Sequence, residues 1–439
     1  MLKKIDHIRK IYFSKKLSFV FLMGIASGIP LYLILSTLLI WLTREEIDIA
    51  TIGLFSLTQL PWSLKFIWAP LIDNMKIPYF HDILGKRKSW LILTQFFLGL
   101  SIILLGFNDP NLNLWLTALL ALFVSFFSAT QDIIIDAYRI EILDDEEQGA
   151  GAAMTQAGYR IGGIIAGAGA LYFKEIVEWR YVFISVGFLI FIFLILSLFA
   201  PPIEKKSDKK LNDEEREKLV ISKKENHNFL SIFLKPIKEF LSRSKKINII
   251  LILSFILFFK LGDVIAGVMA NPFYVKVGFS NIEIANASKL FGVLATLFGV
   301  FIGGYLVKYY GILKVLILGG ILQILSNLLF VMLSIIGDDY IFLLITVAGE
   351  NISGGLGSAG FVAYLSVLCN KKYTATQYAL LSSIMGIART ILSSPSGFLV
   401  NYYGWTNFFL LSTVFGIPGI IILIWMSKKL PIKYQKARG

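Results

Sequence analysis

Long apolar runs recur along the whole chain, and short polar stretches separate them. The runs are about 20 residues long, which is the length a helix needs to cross the hydrocarbon core of a bilayer. Hydropathy therefore predicts an all-α polytopic membrane protein with about twelve spans. The predicted spans are 17–42, 52–72, 90–107, 114–139, 149–173, 181–200, 247–275, 286–307, 315–336, 340–369, 377–402 and 407–426.

One long polar interval, residues 201–246, separates the first six spans from the last six. Its mixture of Lys, Asp and Glu resists burial, so we expect a basic cytoplasmic linker. The chain is thus predicted to consist of an N-terminal six-helix half (1–200), the linker (201–246) and a C-terminal six-helix half (247–439).

The two halves have the pattern of a repeat. The fifth span of each half carries an arginine twelve residues after a glutamine, Arg160 after Gln148 and Arg389 after Gln377. The fourth span of each half also carries an acidic residue. Two six-span halves joined by a cytoplasmic linker are the plan of the major facilitator superfamily, whose halves are related by an axis along the membrane normal.

The basic residues are distributed asymmetrically between the two sides of the predicted bundle. The chain has 42 Lys and Arg residues and a net charge of +13. Most of these residues lie in segments on the same side of the predicted bundle as the N-terminus. This bias places both termini in the cytoplasm. It also explains the basic composition without nucleic acid as a partner.

The remaining composition narrows the chemistry. The single cysteine, Cys369, excludes an intrachain disulfide, and we expect no metal and no cofactor. The three histidines, His7, His81 and His227, lie in predicted cytoplasmic segments. An intramembrane enzyme is therefore not expected, and any proton relay within the spans must use carboxyl groups.

Ionisable residues interrupt the predicted spans. A charge near the bilayer centre costs about 2.5–3.5 kcal/mol, so such residues normally face a bundle interior or a wet cavity. Cations at this depth suit a solute with carboxylates or phosphates, and a buried carboxyl group can carry a proton. The predicted substrate-binding residues are Lys65, Gln131, Arg160, Lys260, Arg389 and Asn351, and the predicted proton-coupling residues are Asp132, Asp136, Asp263 and Glu350.

A structural role stays open for the charged residues. Any of them can form an ion pair between helices, and Lys260 and Asp263 are spaced to pair with each other on one helix face.

Aromatic residues, among them Trp62, Trp68 and Tyr159, are able to stack on sugar rings. For each of these rings, however, we expect an interfacial or lipid-facing position.

A loop after the second span resembles the short gating motif of the major facilitator superfamily. The predicted gating residues are Asp73, Gly85, Lys86 and Arg87. Small residues at Gly24 and Gly28, at Gly158 and Gly162 and at Gly299 and Gly303 are predicted to allow close helix packing.

Segments along nearly the whole chain resemble the AmpG-type muropeptide permeases, a branch of that superfamily. The matching segments are 24–33, 51–57, 65–73, 84–91, 129–139, 149–162, 260–263 and 350–383. The resemblance implies a multi-pass transporter of the bacterial inner membrane, driven by the proton gradient. The implied cargo is N-acetylglucosaminyl-anhydro-N-acetylmuramyl peptides, imported for peptidoglycan recycling and, in some species, β-lactamase induction.

Other functions stay open beside this one. Some family members have further hydrophobic spans after the twelfth, and the present sequence stops at Gly439 without them. Another anionic cargo, such as an acetyl-coenzyme-A-like solute or a drug, is therefore an alternative. A membrane receptor that binds a solute without transporting it is a second alternative.

Overall fold

The computed structural model describes residues 14–143, 148–202, 238–242, 246–368 and 374–429. Regular structure within these ranges is helical throughout. Most of the predicted linker, the loop at 144–147 and Cys369 lie outside the described residues. The prediction of an all-α polytopic fold is confirmed.

Nine helical segments in the described part of the chain are long and apolar enough to cross a membrane. They correspond to predicted spans one, three, four, six to ten and twelve, and we number the spans in chain order. The segments are Lys15–Arg44, Lys86–Phe107, Leu114–Ile142, Trp179–Leu198, Ile247–Val277, Asn281–Val307, Ile312–Ile336, Tyr340–Leu365 and Ser396–Lys428.

The other three spans are interrupted helices. The second span consists of Ile49–Leu54, Leu60–Leu64 and Ala69–Asn74, with 3-10 turns between them and a proline near the start of the last two pieces. Proline lacks an amide donor, and its ring disfavours the helical conformation of the residue before it, so these helices begin anew at each proline.

The fifth and eleventh spans are interrupted in other ways. The fifth runs through Gln148–Ile164 and then widens into a π-helical segment, Ile165–Gly169. The eleventh begins as Thr374–Ser393 and continues into the helix that starts at Ser396. Gly404, with φ +74°, separates this continuation from the twelfth span.

Glycines bring the first and fifth spans into backbone contact. A Cβ added to Gly24 would lie 2.5 Å from the carbonyl oxygen of Thr155, and one added to Gly28 would collide with the carbonyl oxygen of Tyr159. Gly158 and Gly162 face the first span in the same way. The predicted close helix packing is confirmed here, and Gly299 packs equally tightly on the tenth span.

The two halves meet through polar contacts at one end of the bundle, which we call the closed end. Arg44 donates from Nη2 to the carbonyl oxygen of Phe279 (2.6 Å) and from Nε to Asn281 Oδ1 (3.3 Å). Asn401 Nδ2 donates to Asp48 Oδ1 (2.7 Å). Each contact joins a loop or helix end of the first half to one of the second.

Backbone contact reinforces the closed end. A Cβ on Gly53 of the second span would lie 2.6 Å from the amide nitrogen of Gly397. Asn281 also donates to Glu175 Oε1 (2.9 Å), so that residue links two helix ends of the first half. The connections between spans two and three and between spans eight and nine lie at the opposite end, as do the first residues of span one.

Candidate functional site

The first half contributes an acidic residue that is held by a neighbouring span. Asp132, in the fourth span, accepts a hydrogen bond from Ser27 Oγ of the first span at 2.5 Å. Its carboxyl group also interacts electrostatically with Lys65 and Asp136. Lys65 lies in a 3-10 turn of the broken second span, so three different spans contribute to this group.

Two tyrosines lie between the arginines of the two halves. The rings of Tyr32 and Tyr159 meet edge to face with their centroids 6.1 Å apart. Arg160 Nη1 donates to the Tyr32 hydroxyl group at 3.4 Å. Arg389, from the second half, interacts electrostatically with both tyrosines.

These tyrosines correct one expectation from the sequence. Tyr159 is neither interfacial nor lipid-facing, because it interacts with Asp132, Arg160 and Arg389. Trp68 is partly buried, and its indole Nε1 donates to Thr130 Oγ1 at 3.1 Å, so its interfacial position stays a prediction. A hydroxyl-bearing aromatic pair thus lies among the charges that the sequence identified.

The second half contributes a pair of opposite charges at a helix break. The first helix of the seventh span ends at Phe258; Lys260 is the N-cap residue of the next helix, Leu261–Val277, and Asp263 lies in its first turn. Lys260 Nζ donates to Ser358 Oγ of the tenth span at 2.5 Å. Asp263 interacts electrostatically with Lys260 and also with Arg389. Lys260 therefore joins the seventh and tenth spans by a hydrogen bond, in addition to its interaction with Asp263.

Glu350 and Lys289 extend the charged group into the eighth and tenth spans. Glu350 interacts electrostatically with Asp263 and with Lys289. Lys289 Nζ donates to Asn271 Oδ1 at 2.6 Å, and a π-helical segment, Ala285–Phe291, carries it. Such segments often occur at functional sites because the extra residue redirects the side chains.

The side chain of Lys289 also reaches the first half. Its Cδ lies 3.5 Å from the position a Cβ would occupy on Gly167, in the π-helical segment of the fifth span. Asp132, Tyr159, Arg389, Asp263 and Glu350 form a continuous series of electrostatic neighbours. The interactions therefore connect the two halves through the middle of the sequence-predicted site.

Two predicted substrate-binding residues are engaged in helix packing. Gln131 is fully buried, and its Nε2 donates to the carbonyl oxygen of Ala26 at 3.1 Å. Asn351 accepts from Thr296 Oγ1 at 2.7 Å and donates to the carbonyl oxygen of Val347. These hydrogen bonds join neighbouring spans, and the binding of a solute by either residue stays a prediction.

Asp136 lies towards the C-terminal end of the fourth span, on the same side of the bundle as the gating loop. Its Oδ1 is 3.5 Å from Arg139 Nη2, and about half of its side chain is exposed (53%). An exposed pair of this kind contributes little to stability. Asp136 is therefore less enclosed by other spans than Asp132.

The predicted gating loop leads directly into the third span. Gly85, with φ +76°, precedes the helix, and Arg87 lies in its first turn. Glu141 lies at the end of the fourth span and accepts hydrogen bonds from Arg87. Arg87 Nε donates to both of its carboxylate oxygens, at 3.0 Å to Oε1 and 3.1 Å to Oε2. The side chain of Asp73 lies outside the described residues. Glu141 was missed because a single acidic residue near a span end is unremarkable in a sequence.

The part of the chain that the structure describes holds no cluster of three His, Cys, Asp or Glu side chains arranged for a metal ion. The site is instead a mixed set of cations, carboxyl groups and tyrosines. Such a set favours a polar solute with negative charge and hydroxyl groups.

Comparison with known proteins assigns the chain to a family. The model of the Major Facilitator Superfamily matches residues 20–262 and 250–438. A putative transporter AmpG 4 of Rickettsia conorii is 38% identical over 97% of this chain and 100% of its own length. The anhydromuropeptide permease of Escherichia coli K12 is 35% identical over 94% of this chain and 80% of its own length.

The chain belongs to the AmpG-type branch of the Major Facilitator Superfamily. It is therefore a multi-span membrane transporter and not an enzyme, as the sequence indicated.

Solved structures show the same fold. A bacterial homologue of the lysosomal transporter Spinster, in an inward-facing and unoccupied conformation, has a TM-score of 0.69 at 14% identity and covers 96% of this chain and 98% of its own. A D-xylose-proton symporter has a TM-score of 0.65 at 14% identity and covers 94% and 97%. At such identities the likeness concerns the fold alone.

Asp48, at the closed end, offers a test of where proton exchange takes place. Burial raises the pKa of Asp48, but hydrogen bonds from Asn401 and Thr51 outweigh this effect and hold the pKa below its ordinary value. The charged form therefore supports the closed end at neutral pH. This support disappears only as the pH falls through the lowered pKa, which lies below the ordinary pKa of an aspartate.

We accordingly predict that Asp48→Asn leaves the pH profile of uptake unchanged between about pH 5 and 8. The carboxyl group of Asp48 exchanges no proton in that range, and asparagine retains an oxygen for Asn401. Uptake rates of purified protein in liposomes at several pH values check this prediction. A shifted profile would show that Asp48 takes part in proton exchange.

Proposed function

We propose that the protein imports anhydro-muropeptides from the periplasm to the cytoplasm across the bacterial inner membrane by proton symport. The observation that carries the proposal is the convergence of Arg160, Arg389, Tyr32 and Tyr159 from both halves at one place. A disaccharide with an acidic peptide matches cations for its carboxylates and hydroxyl-bearing rings for its sugars.

The carboxyl groups are the proposed proton carriers. Asp132, Asp263 and Glu350 each lie beside a lysine or an arginine of the same site. A solute carboxylate bound to those cations would weaken their attraction for the neighbouring carboxyl group, so cargo and proton would bind together. Asp136 remains a candidate, although its contacts connect it less closely to the other charges.

Alternating access requires that the closed end opens during transport. With both termini in the cytoplasm, the closed end faces the periplasm, so the described conformation is closed on the periplasmic side. The hydrogen bonds of Arg44 and Asp48 to the second half must then break in each cycle.

A cross-link between the halves at this end is therefore predicted to stop uptake. We would introduce Asp48→Cys and Asn401→Cys together in a Cys369→Ser background and treat cells with a short, membrane-impermeant thiol cross-linker. We expect at least about a tenfold loss of uptake, restored by reductant, because the outward-facing state becomes inaccessible. Each single cysteine variant is the control, and full uptake by the cross-linked protein would contradict the mechanism.

Counterflow tests the proposed cargo. Proteoliposomes loaded with an unlabelled anhydro-muropeptide should take up the labelled compound, and excess acetyl-coenzyme A or an unrelated anionic drug should not compete. Competition by those solutes would favour the alternative cargoes. Binding without counterflow would favour a receptor.

A further inference from the structure

A small internal cavity lies next to Asp263, between the seventh, ninth and twelfth spans. Its volume is about 10 Å³, which is near the lower limit for a single water molecule. The lining residues are Phe259, Gly262, Asp263, Gly320, Gln323, Ile324, Asn327 and Gly416. Three of these are glycines, one from each of the three spans, so the space arises where side chains are missing.

Gln323, one of the lining residues, carries an unpartnered amide group, which also lies 3.1–3.3 Å from the position of a Cβ on Gly357 of the tenth span. Its side chain is only 3% exposed, and neither Oε1 nor Nε2 has a hydrogen-bond partner among the described protein groups. A buried amide without a partner destabilises the folded protein. A partner in the cavity would remove this effect.

Several other buried amides of the bundle have hydrogen-bond partners, although Gln131 Oε1 has none in the described part of the chain. Gln95, fully buried in the third span, accepts from Ser197 Oγ at 2.8 Å. Asn271 accepts from Lys289, and Asn351 is hydrogen-bonded through both of its amide atoms. Gln323 therefore differs from them, and the difference coincides with the cavity.

We propose that this cavity is a binding site for one water molecule, held by Gln323, Asn327 and Asp263. A buried water typically makes two to four hydrogen bonds, and these three side chains supply enough donors and acceptors. Asn327 Nδ2 lies 3.3 Å from the position of a Cβ on Gly262, which places the amide beside the residue that precedes Asp263. The water joins the ninth span to the carboxyl-bearing turn of the seventh.

The site has a consequence for transport that rests on the proposed function. If Asp263 exchanges protons, the water hydrates its carboxyl group from the side of the ninth span, while Lys260, Arg389 and Glu350 interact with the same group electrostatically. Loss of the water would favour the neutral carboxyl group. Gln323 is in this sense a positioning residue and has no contact with the cargo.

Structure determination of the full chain at a resolution that shows ordered waters tests the site itself. We expect one peak within about 2.6–3.2 Å of the Gln323 amide in the wild type, and no peak in Gln323→Met, which keeps the volume and removes the amide. A dry cavity in the wild type would overturn the proposal. A peak that persists in Gln323→Met, or that appears only in sodium salts, would overturn it as well.

Uptake measurements test the link to Asp263. We expect the pH of half-maximal uptake in Gln323→Met to rise by at least ~0.5, whereas Leu325→Ala, on the lipid-exposed face of the same helix, keeps the wild-type profile. An unchanged profile together with the lost water peak would refute the role of the water in proton exchange and leave both the site and the proposed cargo standing. Failure of counterflow with the cargo would refute the proposed function, but it would not change the expected density peak of the water beside Gln323.

Discussion

Replacement of Asp132 by asparagine is expected to lower uptake by at least about tenfold, equivalent to 1.4 kcal/mol or more, without loss of folded protein. Asparagine is similar in size and keeps an oxygen that accepts from Ser27, so the contact between the first and fourth spans persists. It removes the negative charge beside Lys65 and the ability to carry a proton. Uptake in proteoliposomes, normalised to folded protein, measures the effect.

Two variants separate this effect from a structural one. Ser27→Ala removes the hydrogen bond to Asp132 and keeps the carboxyl group, so we expect a smaller loss of uptake. Asp48→Asn makes the same chemical change at the closed end, where we expect the pH profile of uptake to stay that of the wild type. If Asp132→Asn transports at the wild-type rate, Asp132 has no part in the mechanism and the coupling must be assigned to Asp136, Asp263 or Glu350.

Replacement of Gly28 by valine is expected to reduce the yield of folded protein by at least about tenfold. The Cβ of any residue at this position collides with the carbonyl oxygen of Tyr159, which is backbone and cannot rotate away. The first and fifth spans must then separate, at a cost of roughly 3 kcal/mol. Tyr159 would move with its helix, so the tyrosine pair of the site would be lost too.

Gly304→Val is the matched control for this prediction. Gly304 is also a glycine within a span, but a Cβ at this position meets no atom within 4 Å. Size-exclusion chromatography of the detergent-solubilised variants, compared at equal expression, should show the loss for Gly28→Val alone. Equal monodisperse yields would show that the first and fifth spans tolerate a larger separation.

Much of the fold was predictable because hydropathy alone fixes the span positions in a bilayer. The fourth span begins at Leu114 in both the prediction and the structure, and the third ends at Phe107 in both. The interruptions of the second span were less accessible. An apolar composition does not distinguish α-helix from 3-10 turns, and the prolines at 61 and 70 indicate a break without giving its geometry.

The candidate site was predictable where it carries charge. Asp132 and Arg389 stand out in apolar spans because ionisable residues are rare there. Neutral polar residues give no such signal: Ser27 and Tyr32 contact the charges in the structure, whereas Gln131, which the sequence placed in the site, packs against the first span. Hydrogen-bond partners depend on helix rotation and register, which hydropathy does not determine.

Accumulation under an imposed proton gradient tests the central claim most directly. Proteoliposomes that contain the wild-type protein would receive a labelled anhydro-muropeptide on the side of the closed end, with and without an inward proton gradient. We predict accumulation above the external concentration only with the gradient, and its collapse on addition of a protonophore. Equal uptake with and without the gradient, or no uptake of the muropeptide, would contradict the account.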